Sequence, residues 1–157
     1  MIKKSTKKIN ILVASGVNLD LLGKREPHIY GLDSLEDMEL LVKVELKKWL
    51  KRFGGYKVKV KFFQTNDESK FLSELDKGYD GAVINAGAWT HTSLAISDRL
   101  KGLALPYVEV HVSDISKREA YRQVNFLKES ALASIQGLGI KGYAAGLEKL
   151  LSHMFAI

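Results

Sequence analysis

Lys8-Ile-Asn-Ile-Leu-Val-Ala14 runs directly into Ser15-Gly-Val-Asn18, an apolar stretch ending in small and polar residues. The stretch reads as a buried strand, and the residues after it as what lies beyond a strand's carboxyl end. The unit recurs. Lys57–Phe63 alternates and reads as a strand with one solvated face, Gly81–Ile84 as a short buried strand, Pro106–Val112 as a fourth strand and Ala131–Ile135 as a fifth. Between them the apolar spacing becomes helical. Asp33-Ser-Leu-Glu36 offers an N-cap and a capping-box glutamate, and Leu35, Met38, Leu41, Val42, Trp49, Leu50 and Phe53 recur at helical intervals until Gly54-Gly55. Asp67–Lys77, Thr92–Leu103 and Gly139–His153 read as further helices. Five strand-then-helix units predict an α/β fold, a five-stranded parallel sheet with helices on both faces. One connection is unusual. Ser15–Leu32 is polar, holds glycines at 16, 23 and 31, and far exceeds the roughly 2–6 residues of an ordinary strand-to-helix loop. It is a candidate lid.

The composition narrows the chemistry. A chain of 157 residues, 46% hydrophobic and 27% charged, suits one domain spanning 1–157, with the basic segment 1–8 expected to be a flexible start. There is no cysteine, which excludes disulfides, thiolate metal sites and a thiol nucleophile, and fits a cytoplasmic location. No apolar run approaches a membrane span, and no cleavage pattern follows the short run 9–14. The net charge of +6 comes mostly from lysines spread over amphipathic segments. Aromatic residues are not interleaved with them, so nucleic acid is not an expected partner. A positive field does suit an anionic substrate.

Ligands of open α/β sheets bind outside the carboxyl ends of the strands. Those ends are Ser15–Asn18, Gln64–Asn66, Asn85–Ser93 and His111–Asp114. No Gly-x-Gly-x-x-Gly, no phosphate loop and no Gly-x-Ser-x-Gly elbow is present. His91 and His111 lack the carboxylates that would complete a metal shell, so a metal is not expected. Acid–base chemistry by histidine, tyrosine and arginine remains. Tyr30 is a poor base unless a cation favours its phenolate, and Arg25 stands five residues earlier on the same segment. The bland alternative is a tyrosine packing its ring. His111 follows Glu109 by two residues, so the two share a strand face, and the carboxylate would fix the imidazole as a general acid. The alternative is a hydrogen-bonded core histidine. His91 precedes a helix whose first N–H groups suit an anion, or simply belongs to a capping loop. His28 and His153 read as surface residues.

These segments together resemble the type II 3-dehydroquinate dehydratases. The resemblance rests on Asn18-Leu-Asp-Leu-Leu-Gly-Lys-Arg-Glu-Pro-His-Ile-Tyr-Gly31, Phe63-Gln-Thr-Asn66, Asn85-Ala-Gly-Ala-Trp-Thr-His-Thr-Ser93, Glu109-Val-His-Val-Ser113 and Gly137-Leu-Gly-Ile-Lys-Gly-Tyr143, in order over about 9–152. It implies a flavodoxin-like three-layer sandwich and cofactor-free dehydration of 3-dehydroquinate to 3-dehydroshikimate through an enolate. It also implies a homododecamer built from trimers. By position, Tyr30 takes the proton alpha to the carbonyl with Arg25 beside it, and Asn18 stabilises the enolate through a water. His111, oriented by Glu109, protonates the leaving hydroxyl. Asn85, His91, Val112, Ser113 and Arg122 hold the substrate, and Asp98 reaches a neighbouring subunit's site.

Four departures stand out. The family's Asn-Gly-Pro-Asn is Ser15-Gly-Val-Asn18 here. Its Arg-Asp in the third helix is Ser97-Asp98. Its Ser-Asn-[Ile/Val]-His-Ala-Arg-Glu is Ser113-Asp-Ile-Ser-Lys-Arg-Glu119. Its His-rich run ending Ser-Tyr is Gln123-Val-Asn-Phe126. They motivate one alternative, an impaired homologue that binds ligand without turnover. The net charge motivates another, a flavodoxin-like binding module.

Overall fold

The computed structural model describes residues 8–157. The segment expected to be a flexible start lies outside the described residues except for Lys8, which opens the first strand. The strands are β1 (Lys8–Ser15), β2 (Lys57–Gln64), β3 (Gly81–Asn85), β4 (Tyr107–His111) and β5 (Ala133–Gln136). They form one parallel sheet in the order β2-β1-β3-β4-β5. The helices are α1, a single turn at Pro27–Tyr30, then α2 (Leu35–Phe53), α3 (Glu68–Leu75), α4 (Leu94–Leu103) and α5 (Lys141–Phe155).

Alternation along the strands sorts the core into two layers, because successive side chains leave a strand on opposite faces. Ile11, Val13, Val83, Val108 and Val110 meet Met38, Val42 and Trp49 of α2 and Tyr143, Leu147 and Leu150 of α5. Leu12, Ala14, Ala82, Ile84 and Tyr107 meet Phe71 and Leu75 of α3 and Ile96 and Leu100 of α4. Edge strand β2 exposes Lys57, Lys59 and Lys61, in keeping with its alternating sequence. No helix among the described residues is long and apolar enough to cross a membrane.

Three expectations need correction. The N-cap of α2 is Ser34, and the capping box is closed by Asp37 rather than by the pair Asp33 and Glu36. The Asp37 carboxylate accepts the Ser34 N–H at 2.8 Å, while Ser34 Oγ accepts the Asp37 N–H at 3.2 Å. The 15–32 segment is partly helical, with a 3-10 turn at Leu19–Leu21 and α1, where Pro27 supplies a preset φ. The fourth strand-then-helix unit does not exist. Between β4 and β5 the chain makes only the short 3-10 turns Ile115–Lys117, Ala120–Gln123 and Lys128–Ser130. Tyr107 Oη helps to fix this stretch, donating to the Leu127 carbonyl at 2.5 Å.

The first and third strands end against one another with no space to spare. A Cβ on Gly16 would lie 2.4 Å from the Ala86 carbonyl oxygen, whereas one on helical Gly102 would meet nothing within 4 Å. Gly16→Ala is therefore expected to destabilise by about 1–3 kcal/mol. Gly102→Ala should stabilise by about 0.5–1 kcal/mol through helix propensity. Urea unfolding of both variants checks the pair, and a Gly16→Ala midpoint equal to wild type would contradict the close approach.

Candidate active site

The carboxyl edges of β1, β3 and β4 open into a cleft of about 120 Å³. Its walls include Asn18, Arg25, Tyr30, Asn85, His91, His111, Val112, Ser113, Arg118 and Arg122. Every expected site residue except Glu109 and Asp98 faces it. Glu109 lies directly behind His111 and is fully buried. Asp98 is on the exposed side of α4.

Tyr30 closes α1 and reaches the cleft with its oxygen between two guanidiniums. Arg25 Nη2 donates to Tyr30 Oη at 2.7 Å and Arg118 Nη1 at 3.2 Å. The Arg25 guanidinium also lies 4.5 Å from the ring centroid. Arg118 Nη1 donates in addition to Ser113 Oγ at 3.2 Å. Burial disfavours the Arg118 cation, but the bond and charge of Tyr30, with Glu119 and Glu26, outweigh it and hold its pKa above the ordinary value. Glu119 also accepts from Arg118 Nε at 3.3 Å and Arg122 Nε at 2.9 Å, so one carboxylate sets two of the three cleft arginines.

His111 presents a defined nitrogen. A carboxylate only accepts, so the 2.6 Å contact between His111 Nε2 and Glu109 Oε1 commits the Nε2 proton to Glu109. Nδ1 takes no part in that bond. Glu109 also accepts from Asn125 Nδ2 at 2.8 Å on Oε1 and from Ser134 Oγ at 2.8 Å on Oε2. Register explains the last contact, since Glu109 pairs with Ser134 across β4 and β5 and their side chains share a face. Burial raises the Glu109 pKa, but the hydrogen bonds and charge of His111, with Ser134 and Asn125, reverse that and hold it below the usual carboxylate range.

His91 is set differently. Its Nδ1 lies 2.6 Å from the Val124 carbonyl. A carbonyl only accepts, so Nδ1 carries the proton and Nε2 is a bare acceptor. Burial lowers its pKa, aided by the charges of His111 and Arg122 and opposed by the Val124 contact and Glu109. The two imidazoles stack at 6.4 Å between centroids. Part of the helix start after His91 is satisfied within the chain. The Thr92 and Ser93 N–H groups bond to the Trp89 carbonyl at 3.2 and 2.8 Å, and Ser93 Oγ takes the Ile96 N–H at 3.0 Å.

The amide groups are anchored from below. Asn18 adopts a left-handed conformation (φ 66°), which asparagine tolerates, and its N–H donates to Asn66 Oδ1 at 2.8 Å. Asn85 Oδ1 accepts the Gly87 N–H at 3.1 Å. Ser15 Oγ lies 2.9 Å from Tyr143 Oη, a buried hydroxyl pair beneath the end of β1. Burial pushes the Tyr143 phenol up to about 12 against the opposing bonds of Ser15 and Asn85.

Arg118, Asn125 and Ser134 were not singled out from the sequence. Arg118 carried a weak signal, standing four residues before Arg122. Asn125 and Ser134 carried none, because their partner is buried on another strand. Among the described residues no three His, Asp or Glu side chains gather as a metal-binding group.

Comparisons with known proteins identify the family. A family model described as Dehydroquinase class II matches residues 9–151. A 3-dehydroquinate dehydratase of Prochlorococcus marinus is 42% identical over 149 residues, 93% of this chain and 98% of that protein. One from Clostridium botulinum is 40% identical over 148 residues, 92% and 96% of the two chains. The crystal structure of a type II dehydroquinase from Butyrivibrio crossotus superposes with a TM-score of 0.79 at 34% identity, covering 92% of this chain and 99% of that one. With the family model spanning most of the chain, relatives at 40% identity or more and a shared fold, the chain belongs to the class II dehydroquinase family.

Proposed function

We propose that this chain, acting as one domain, is a 3-dehydroquinate dehydratase, eliminating water from 3-dehydroquinate to give 3-dehydroshikimate in the shikimate route to aromatic amino acids. One observation carries the assignment of roles: Tyr30 Oη receives two guanidinium donors in the same cleft as a histidine backed by a buried carboxylate. Acting as the base, Tyr30 takes the proton alpha to the carbonyl, and the C–H electron pair forms an enolate. Asn18, at the cleft wall, stabilises the enolate oxygen through a bound water. As the enolate returns its electrons, the C–O bond breaks, and His111 Nδ1 delivers a proton to the departing hydroxyl. Glu109 steadies the imidazolium before that step and keeps its orientation after it.

The remaining groups fit an anionic, polyhydroxylated ring. Arg122 pairs with the substrate carboxylate, and the backbone at Val112 and Ser113 takes its polar groups. Asn85 and the bare Nε2 of His91 take hydroxyls. Assembly into a trimer-based homododecamer in the cytoplasm belongs to the same reading. The outward position of Asp98 on α4 supports a role at a neighbouring subunit's cleft, near that subunit's His91, and the mass of the particle in solution tests it.

The direct experiment follows the ultraviolet absorbance of the conjugated enone acid formed from 3-dehydroquinate. Turnover is expected without added metal or cofactor, and no product at high protein concentration would overturn the reading. Tyr30→Phe should keep the fold and lower kcat by at least about 100-fold, as loss of a general base does. Arg25→Gln and Arg118→Gln should each lower kcat, and the double variant should fall short of the product of the two, because both cations act on one oxygen. A multiplicative double variant would separate them.

His91 supplies a pH test. Its lowered pKa means that near pH 6.5, where an ordinary imidazole is about half charged, the neutral form with Nδ1 protonated predominates. Imidazole 15N shifts read this directly, and a half-titrated His91 at that pH would refute the acceptor role.

A further inference from the structure

The general acid is usually explained by its histidine and the carboxylate behind it, but here that carboxylate is itself held from two sides. We propose that Asn125 is a positioning residue of the acid: its amide holds the Glu109 carboxylate in the plane and charge state that aims His111 into the cleft, with Ser134 as the second support. The proposal rests on the dehydratase reading for its kinetic consequence and on geometry alone for its structural one.

Glu109 has no exposed surface. A buried carboxylate stays ionised only where donors replace water. Three donors converge on it, and His111 is the one whose proton position changes during a catalytic cycle. When His111 gives up its proton the imidazolium charge disappears, and Glu109 then depends on the neutral donors Asn125 and Ser134. Asn125 shares Oε1 with His111, at 2.8 and 2.6 Å. It therefore limits where that oxygen can move and how strongly it pulls the Nε2 proton. The titratable and charged groups around this dyad are His91, stacked on His111, Arg122, which stands on the same cleft wall, and Tyr107, a buried phenol whose pKa is raised by burial and by the Glu109 charge.

Asn125 is suited to the task because its two ends do different work. Nδ2 donates to Glu109, while Oδ1 accepts the Leu127 and Lys128 N–H groups at 2.9 and 3.0 Å and so caps the turn at Lys128–Ser130.

The dual use gives a clean experiment. Asn125→Asp keeps the acceptor that caps the turn, removes the donor toward Glu109 and places a second carboxyl beside it. Two contacting carboxyls lower the unfolding midpoint at neutral pH whichever role Asn125 has. A purely structural Asn125 predicts that loss alone, with kcat of the folded enzyme and the His111 ring shifts unchanged, whereas the positioning role predicts kcat lowered by about tenfold or more, KM within about twofold, and altered 15N shifts of the His111 ring. Activity should recover partly toward acid pH, as the carboxyl pair takes up a shared proton that serves as the missing donor. Ser134→Ala, which leaves the backbone pairing of β5 intact, should move the same two readouts in a smaller degree. Unchanged kcat and unchanged His111 shifts in Asn125→Asp would overturn the proposal, and so would a loss confined to KM. If wild-type protein fails to turn over 3-dehydroquinate while the His111 shifts still move, the dehydratase reading is lost and the positioning of His111 stands.

Discussion

An ionised carboxylate with no exposed surface organises this molecule's working end. Glu109 is tolerable there only because His111, Asn125 and Ser134 donate to it. Satisfying those bonds fixes strand β4 against β5, fixes the ring of His111, and draws residue 125 of an irregular segment down onto the sheet. The rest of the cleft is built around that point. His91 stacks on the ring so held, and Arg122 and Arg118 enter from the same segment that Asn125 anchors.

The connection between β4 and β5 is the architectural counterpart of this constraint. An α-helix over that face would pack an apolar stripe onto the sheet beside Tyr107 and bury any carboxylate without partners. Short 3-10 turns instead leave side chains free to point inward at irregular intervals, which places Arg118, Arg122 and Asn125 within reach of Tyr30, the cleft and Glu109. Tyr30 arrives from the opposite side on α1. Its oxygen takes one guanidinium from its own segment and one from across the cleft, so the base is assembled from two separate stretches of chain.

Periodicity made the sheet, its parallel sense and four of its helices readable, because alternating and helical apolar spacings report directly on burial. It also put Glu109 and His111 on one face, and the structure shows that face to be the one carrying Tyr107. Position at strand ends brought Asn18, Asn85, His91 and Ser113 together. What stayed hidden has a common physical origin. Arg118, Asn125 and Ser134 act through contacts between residues far apart in sequence, and irregular turns give them no periodic signal. The same holds for the first turn of α2: Asp33 and Ser34 are equally good caps by type, and only the reach of Asp37 decides between them.

Segments held by a few side-chain anchors, rather than by a repeating backbone ladder, drift differently over evolutionary time. A helix at 112–132 would tie each inward residue to a fixed spacing. Here the anchors carry the constraint, and the exposed residues between them bond locally: Ser116 Oγ donates to Asp114 at 2.5 Å and Gln123 Nε2 to the Ile115 carbonyl at 2.8 Å. Such a stretch accepts changes at its exposed positions without moving the inward set, provided that a donor still faces the buried charge.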